Sequence, residues 1–227
     1  MFRTIEHEIR NIYRKDPACN SWLGVVLYYP GFQAIISHRF FYFLWNLDLG
    51  ILSPITQFIA RFGAYLVRII TNIEIHPAAT IGKNCFIDHG LGVVIGETVI
   101  VGNNVTIYQG VTLGGVATKK GKRHPTLGSN IVVGAGAKVL GNITVGDYVQ
   151  IGANSVVLKD VPSHSTVVGI PGRIVKINGK AEALIDNLEH DKTPDCLGTT
   201  IDELCERVTL LEHKLASYSQ SHPSPEN

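Results

Sequence analysis

The sequence predicts an N-terminal helical segment followed by a parallel β-helix, a solenoid of short strands, and then a C-terminal tail that contains a helix. Two compositional contrasts and one periodicity predict this α + β-solenoid fold. Of the 18 aromatic residues, 14 lie in the first 71 positions, whereas 17 of the 23 glycines lie between Gly82 and Gly172. From Ile75 onward an aliphatic residue recurs every six positions, and six residues make one face of a β-helix.

The composition excludes two broad classes of protein. The 227 residues include 20 Lys and Arg against 19 Asp and Glu, a formal net charge of +1, so the chain lacks the basic surplus of a general nucleic-acid binder. A hydrophobic share of 45% is too high for a wholly disordered chain. The apolar stretch 22–70 is interrupted by charged residues and prolines. Because it contains no run of about 18 uncharged apolar residues, we expect no membrane span.

The cysteines and the N-terminus predict the compartment. The N-terminal residues have mixed charge and no apolar leader. The four cysteines share no zinc-binding or redox spacing: Cys19, Cys85, Cys196 and Cys205. Scattered cysteines without a secretion signal are typical of a reducing cytosol, so we expect a cytoplasmic protein.

Four helices are predicted in the first domain, residues 1–71. Three isoleucines at helical spacing predict an amphipathic helix over 2–14. The dipeptide Asp16-Pro17 has the pattern of an N-cap followed by a first-turn proline, which predicts the start of a second helix. Pro30-Gly31 ends that helix, and 32–46 and 54–71 are the remaining two.

The hexapeptide repeat predicts a second domain over 72–177. Its thirteen aliphatic positions are all Ile, Leu or Val, and the next residue is glycine in eight of the thirteen. In a three-sided coil of about 18 residues the aliphatic side chains point inward and stack from coil to coil, and glycine suits the corners. A narrow interior leaves little room for aromatic rings. The thirteen positions are Ile75, Ile81, Ile87, Ile95, Val101, Ile107, Leu113, Leu127, Val133, Val139, Val145, Ile151 and Val157.

Two interruptions of this repeat are the first places to look for chemistry, since insertions in repeat proteins usually form functional loops. Two extra residues enter between Ile87 and Ile95, around His89. A longer departure runs from Gly114 to Thr126 and is rich in basic residues.

The third segment, 178–227, is predicted as a tail. Residues 178–199 have the composition of a linker, with a short helix expected over 181–190, and the end from Tyr218 is expected to be disordered. Between them, apolar residues at alternating spacings of three and four predict an amphipathic helix over about 200–217. Its apolar stripe fits either a helix packed on its own domain or a coiled coil.

The residues around both interruptions resemble the serine O-acetyltransferase family, and the resemblance covers about 1–177. It implies a left-handed β-helix and transfer of the acetyl group of acetyl-CoA to the hydroxyl of L-serine, the first step of cysteine biosynthesis. The motifs are Arg14-Lys15-Asp16-Pro17-Ala18, Glu74-Ile75-His76-Pro77, Ile87-Asp88-His89-Gly90, Gly96-Glu97-Thr98, Gln109-Gly110-Val111-Thr112-Leu113-Gly114-Gly115 and Lys122-Arg123-His124-Pro125.

The resemblance implies that His89 is the general base, since an alcohol is a poor nucleophile at neutral pH and needs one. It implies that Glu74 holds this histidine in the correct tautomer, the logic of a Ser-His-Asp triad. Many members of the family have aspartate at the position of Glu74. Because glutamate is one methylene longer, the geometry of this pair must adjust.

Four further residues match the family's serine-binding groups. Asp16 and Asp88 match the carboxylates that bind the ammonium group, and Asp16 can cap a helix at the same time. Arg123 and His124 match the residues that hold the carboxylate, for which arginine offers a bidentate contact. Glu97 is expected in a supporting role.

The cofactor expected from the resemblance is acetyl-CoA, as co-substrate, with no metal. Small residues let the pantetheine arm lie close to the backbone outside the prism, and Gly115, Ala135 and Ala153 match contact positions. Val116 stands where the family often has threonine, so one polar contact is expected to be missing. His76, which precedes a proline, is interpreted as structural.

The resemblance also implies partners. Such prisms associate as trimers with active sites between neighbours, and two trimers commonly stack through their helical domains. The family binds O-acetylserine sulfhydrylase through a C-terminal isoleucine. This chain ends in Pro225-Glu226-Asn227 and departs from that pattern, which leaves the contact with the sulfhydrylase open. Cysteine inhibits members of the family by competing for the serine pocket.

Three alternatives remain open from the residues. Another hexapeptide acyltransferase, acting on a sugar or an antibiotic, would share His89 and acetyl-CoA but lack Asp16 and the Arg123-His124 pair. A metal-dependent carbonic anhydrase would need three histidines around zinc, and His76, His89 and His124 are the candidates. A non-catalytic scaffold would not need an intact set of site residues.

Overall fold

The computed structural model describes residues 2–118, 120–177, 204–212 and 214. The first region consists of α1 (Phe2–Lys15), α2 (Trp22–Tyr28), α3 (Pro30–Trp45) and α4 (Ser53–Thr71), with a short 3-10 turn (Gly50–Leu52) before α4. The four predicted helices are therefore confirmed. None of the helices among the described residues has the length and apolar character needed to cross a membrane.

The predicted start of the second helix is wrong. Helix α2 begins five residues after Pro17, and its N-cap is Ser21, whose Oγ accepts the amide of Gly24 at 2.9 Å. The Asp16 side chain instead accepts the amide of Ala18 at 2.8 Å. This local turn competes with a helical start, because aspartate bonds as readily to a turn amide as to a helix end.

The β-helix has three faces, each a sheet of very short strands. Strand order advances by three in each sheet up to β13, so each strand pairs in parallel with the strand one coil away. At the end of the third sheet β12 pairs with β14, also in parallel. The first face contains β1 (Glu74–Ile75), β4 (Val94–Ile95), β7 (Thr112–Gly114), β10 (Lys138–Leu140) and β13 (Val156–Val157). The second contains β2 (Thr80–Ile81), β5 (Ile100–Val101), β8 (Thr126–Leu127) and β11 (Thr144–Val145). The third contains β3 (Phe86–Ile87), β6 (Thr106–Ile107), β9 (Val132–Val133), β12 (Gln150–Ile151) and β14 (Ser165–Val168), and ends in the antiparallel β15 (Arg173–Ile177).

The thirteen aliphatic positions of the repeat are all buried, from 0% to 7% exposed. They stack in register, as in the pairing of Leu127 with Val145 eighteen residues later. The first coil takes 20 residues between Ile75 and Ile95, which accommodates the two-residue insertion. The predicted inward stack is confirmed, and both interruptions bulge outward without changing its register.

Helix α3 covers the open edge of the first coil. Amides of that coil donate to carbonyls of the second, as Gly82 does to Val101, which leaves carbonyls of the first coil at the edge. His38 Nε2 lies 3.0 Å from the carbonyl oxygen of Ala79, and the Arg39 guanidinium donates to the carbonyls of Ile81 and Gly82. Edge groups that would otherwise be open to other strands are therefore bonded.

One corner of the prism departs from the expected use of glycine. Five stacked residues there have φ in the left-handed region, and the first three are asparagines, which tolerate this conformation best among residues with side chains. Their amides form a ladder, with Asn84 donating to Asn104 at 2.6 Å and Asn104 to Asn130 at 3.1 Å. The rings of Tyr148 and His164 continue the column, stacked 4.8 Å apart.

The chain divides into a compact unit that extends to Thr193 and a second unit from Pro194. In the second unit, 204–212 form a helix, which confirms the central part of the helix predicted over 200–217. The predicted linker over 178–199, with its short helix, and the predicted disordered end lie outside the described residues.

Candidate functional site

Asp88 and His89 lie in the turn that follows β3, at the corner where the third face meets the first. His89 has φ of 50°, a conformation that costs energy for a residue other than glycine and is concentrated at functional sites. Its side chain is 79% exposed, and its Nε2 lies 3.8 Å from Asp88 Oδ1. The two-residue insertion therefore projects an imidazole outward with a carboxylate beside it.

The Asp88 carboxylate is partly sheltered. Its side chain is 22% exposed, and its backbone amide donates to the carbonyl of Ile107 at 2.9 Å. Burial raises the pKa of the neighbouring Tyr108 to about 12, and the charge of Asp88 contributes to this rise. An anion that remains partly exposed beside a histidine can accept a cationic group.

Asp16 is held at the end of α1. Its Oδ2 accepts the hydroxyl of Tyr29 at 2.6 Å, and the pKa of Tyr29 is raised by burial and by this hydrogen bond. The preceding residue, Lys15, donates to Thr106 at 2.8 Å. Thr106 lies on β6, next to the strand that leads into Asp88. The fold therefore anchors the Asp16 turn to the face that carries Asp88.

Glu74 contacts a residue that the sequence did not indicate. Its Oε2 accepts from Arg68 Nη1 at 2.8 Å, and both side chains are about half exposed. Arg68 is in the last turn of α4. No hydrogen bond joins Glu74 to His89 within the part of the chain that the structure describes, so a single chain does not bring this predicted pair together.

Arg123 lies at a different corner, between the first and second faces. Its Nη2 donates to Glu97 Oε2 at 2.6 Å, and this bond lowers the pKa of Glu97. Glu97 is in the turn after β4. The supporting carboxylate expected at Glu97 therefore binds the guanidinium that was expected to bind a substrate carboxylate.

His124 is buried, with 7% of its surface exposed, and Thr98 holds it. Thr98 Oγ1 lies 2.8 Å from His124 Nδ1 and accepts the backbone amides of Arg123 and His124 at 3.1 and 3.2 Å. Lys122 Nζ donates to the carbonyl of Thr98 at 2.7 Å. Sequence reasoning missed Thr98, because a threonine in a repeat turn gives no signal of contacts 24 to 26 residues away.

Two glycines lie against the His124 ring. A Cβ on Gly96 would lie 2.2 Å from His124 Nε2, and one on Gly115 would lie 3.1 Å from the same atom. A side chain at position 96 would therefore displace the ring. The predicted cofactor-binding residue Gly115 lies beside Arg123 and His124, away from the corner of His89.

Ala135 and Ala153 lie on the corner of His89, in later coils. Along this corner each coil is hydrogen-bonded to the one before it: the amides of Gly110, Gly136 and Asn154 donate to the carbonyls of Leu91, Gln109 and Ala135, respectively. Each step is one coil, about 4.8 Å. The two alanines therefore form a small-residue path that leads away from the histidine turn along the prism.

The three candidate zinc histidines do not meet in one chain, because His89 lies at a different corner of the prism from His76 and His124. His76 Nδ1 accepts the amide of Ala78 at 3.0 Å, and its ring meets Trp45 edge-on. Burial, followed by the charge of Arg61, lowers the pKa of His76 to about 4. His76 therefore has a structural environment. Among the described residues no three His, Cys, Asp or Glu side chains form a group suited to a metal ion.

Comparisons with known proteins agree with this geometry. The family model described as serine acetyltransferase, N-terminal, matches residues 1–37, and the bacterial transferase hexapeptide model matches 124–159. The serine acetyltransferase of Synechococcus elongatus is 51% identical over 215 residues, which cover 95% of this chain and 84% of that protein.

Two solved structures are similar over most of the chain. Serine acetyltransferase of Neisseria gonorrhoeae in complex with serine has a TM-score of 0.71 and 40% identity, and covers 77% of this chain and 69% of that one. Serine acetyltransferase of Brucella abortus in complex with coenzyme A has a TM-score of 0.72 and 40% identity, with coverage of 78% and 68%. The coil is the left-handed parallel β-helix of these hexapeptide proteins. By its sequence and its fold, the chain belongs to the serine acetyltransferase family.

Proposed function

We propose that this protein transfers the acetyl group of acetyl-CoA to the hydroxyl of L-serine, giving O-acetyl-L-serine and CoA, with His89 as the general base. The observation that carries the proposal is the exposed imidazole of His89, presented by an insertion with a carboxylate at 3.8 Å. Imidazole is the side chain that most often acts as a general base. His89 can therefore accept the serine proton as the hydroxyl oxygen attacks the thioester carbonyl, and the proton then goes to the leaving CoA thiolate.

Glu74 is proposed to orient this base in the assembled enzyme. Arg68 binds Oε2 of Glu74, and Oε1 has no hydrogen bond within the described chain. The free oxygen can accept a ring N–H of a histidine and stabilise the imidazolium. The extra methylene of glutamate is compatible with this role because Arg68 fixes the position of the carboxylate.

Serine is proposed to bind through both of its charged groups. The carboxylates of Asp16 and Asp88 suit the ammonium group, and each oxygen of Asp16 retains a lone pair beyond its bond to Ala18 or Tyr29. The guanidinium of Arg123 and the Nε2 side of His124 suit the carboxylate. A ligand lacking either charge would leave one pair without its partner.

The corner path of Ala135 and Ala153 supports a position for the pantetheine arm. The arm would run along the outer corner from His89 toward later coils, past Ala135 and Ala153, whose side chains are single methyl groups. Gly115 belongs to the other half of the site, beside Arg123 and His124, and would meet the thioester end from that side.

A homotrimer would complete the site. Asp88 and His89 lie at one corner of the prism, whereas Arg123 and His124 lie at the next corner along the chain. A threefold axis parallel to the prism would place the His89 corner of each chain against the Arg123 corner of its neighbour. The incomplete site in a single chain therefore supports a trimer with three active sites between subunits.

The helical region supports a further association of two trimers. Large apolar side chains on α2 and α4 are well exposed in the single chain, among them Trp22 at 64%, Phe58 at 70% and Ile70 at 76%. A surface of this kind usually marks an interface.

We place the reaction in the cytoplasm, where acetyl-CoA and serine are both available.

The direct test is release of CoA thiol from acetyl-CoA in the presence of L-serine, compared with sugar and other amino-alcohol acceptors. We expect serine to be the preferred acceptor. The His89→Ala variant should lower turnover by at least about 100-fold and leave the oligomer intact in size-exclusion chromatography. Near-normal turnover in this variant would remove His89 from the role of base, and preference for a sugar would favour the alternative acyltransferase.

A further inference from the structure

Thr98 makes an unusual number of contacts for a residue in a repeat turn. Its hydroxyl oxygen is bonded to the amides of Arg123 and His124 and to the ring nitrogen Nδ1 of His124, at 3.1, 3.2 and 2.8 Å. Its own amide also donates to Nδ1, at 3.3 Å. A single residue therefore fixes both the backbone and the ring of the histidine expected to bind substrate.

The number of lone pairs decides which ring nitrogen of His124 carries the proton. A hydroxyl oxygen has two lone pairs and one hydrogen. The amides of Arg123 and His124 occupy both lone pairs of Thr98 Oγ1, so its hydrogen remains to be donated to His124 Nδ1. The amide of Thr98 can only donate, and it also points at Nδ1. Nδ1 is therefore an acceptor, and the ring proton is on Nε2.

The surroundings of His124 favour this neutral form. Burial, followed by the nearby charge of Arg123, lowers the pKa of His124. Its Nε2 lies next to Gly96 and Gly115 and has no hydrogen-bond partner within the described residues. The ring therefore offers one N–H, on the side that the proposed serine site would occupy.

We propose that Thr98 is a positioning residue for serine recognition: it holds His124 as the Nε2–H tautomer and aligns it with Arg123, so that both donate to the substrate carboxylate. This inference rests on the proposed function. Thr98 acts through Arg123 and His124 and not by touching the substrate, because all the hydrogen-bonding groups of its hydroxyl are engaged by those two residues.

The test compares Thr98→Val, which removes the hydroxyl but keeps the shape, with Thr98→Ser, which keeps the hydroxyl. We expect Thr98→Val to raise the KM for serine at least tenfold and to leave the KM for acetyl-CoA within twofold. Thr98→Ser should restore the serine KM to within threefold of the wild type. A Thr98→Val enzyme with an unchanged serine KM, or equal increases in both KM values, would overturn the proposal.

A second measurement depends neither on activity nor on the folding of the Thr98 variants. Side-chain ¹⁵N NMR of the wild-type protein labelled in histidine distinguishes the two tautomers. We expect His124, assigned by difference from a His124→Asn sample, to be protonated at Nε2 between pH 7 and pH 8. Protonation at Nδ1 would refute the inference. Absence of serine acetylation by the wild type would refute the proposed function instead. The tautomer would still show whether the Thr98 hydroxyl holds His124 with its proton on Nε2.

Discussion

Replacing Gly96 by alanine would test how closely the active site depends on the position of the His124 ring. The new Cβ would lie 2.2 Å from both Cδ2 and Nε2 of that ring. Since favourable contacts between carbon atoms begin near 3.5 Å, the overlap is about 1.3 Å. The ring cannot swing away without breaking its bond to Thr98, so the clash must shift the whole Arg123-His124 segment.

A displacement of about 1 Å in a substrate-positioning group can cost about 100-fold in rate. We therefore expect Gly96→Ala to lower kcat/KM for serine by about 10- to 100-fold. Overpacking of this kind also costs about 1–3 kcal/mol of stability. The assay is steady-state CoA release with serine varied at saturating acetyl-CoA, together with thermal unfolding. Gly114→Ala is the matched control, because its Cβ would meet the flexible end of Leu140 at 2.9 Å.

Gly114→Ala should keep kcat/KM for serine within about threefold, since a flexible side chain can rotate away at small cost. If Gly96→Ala retained kcat/KM for serine within twofold of the wild type, the argument that the ring position is fixed by Thr98 and Gly96 would be refuted.

Two further predictions concern charge and pH. Glu97→Gln should raise the serine KM about five- to tenfold, because it weakens the charge-assisted hydrogen bond that orients Arg123. Steady-state kinetics with serine and acetyl-CoA varied separately test this prediction. An unchanged serine KM would contradict it. Burial lowers the pKa of His38 to about 4, so the unfolded chain binds an extra proton as pH falls below about 6.5. The free energy of unfolding should therefore fall by about 2 kcal/mol between pH 7 and pH 5 from this group. His38→Gln, whose amide can still donate to Ala79, should flatten that dependence in urea titrations, and an identical slope in the variant would rule out His38 as its source.

The coil could be predicted from the sequence because its requirement is local and repeated. Each inward position needs an aliphatic side chain that stacks on the next coil, and a six-residue period states that requirement thirteen times. Both interruptions are visible for the same reason. The histidine turn could therefore be located before any contact was known.

The partners of the site residues could not be predicted in the same way. Arg68 meets Glu74 only because of the angle at which α4 enters β1, and Thr98 meets His124 only because the long loop returns to the turn after β4. The pattern at Asp16 fits a helix start and a turn equally well, and its bonds to Ala18 and Tyr29 decide for the turn. Contacts between residues far apart in the chain leave no repeating pattern in a single sequence, so they cannot be predicted from it.

Because both edges of the strand stack are covered, the number of coils between them can change without changing the residues of the proposed serine site. Helix α3 closes one end at the first coil, and the antiparallel β15 pairs with the last parallel strand of the third face at the other. The histidine turn belongs to the first coil, and the Asp16 turn at the end of α1 is anchored to the same face through Lys15 and Thr106. Duplication of the 18 residues from Leu127 to Thr144 would add one layer, about 4.8 Å, beyond that pocket. Such a chain would have an unchanged serine site, because the proposed serine-binding residues all precede Leu127, and it would have a longer surface for the co-substrate.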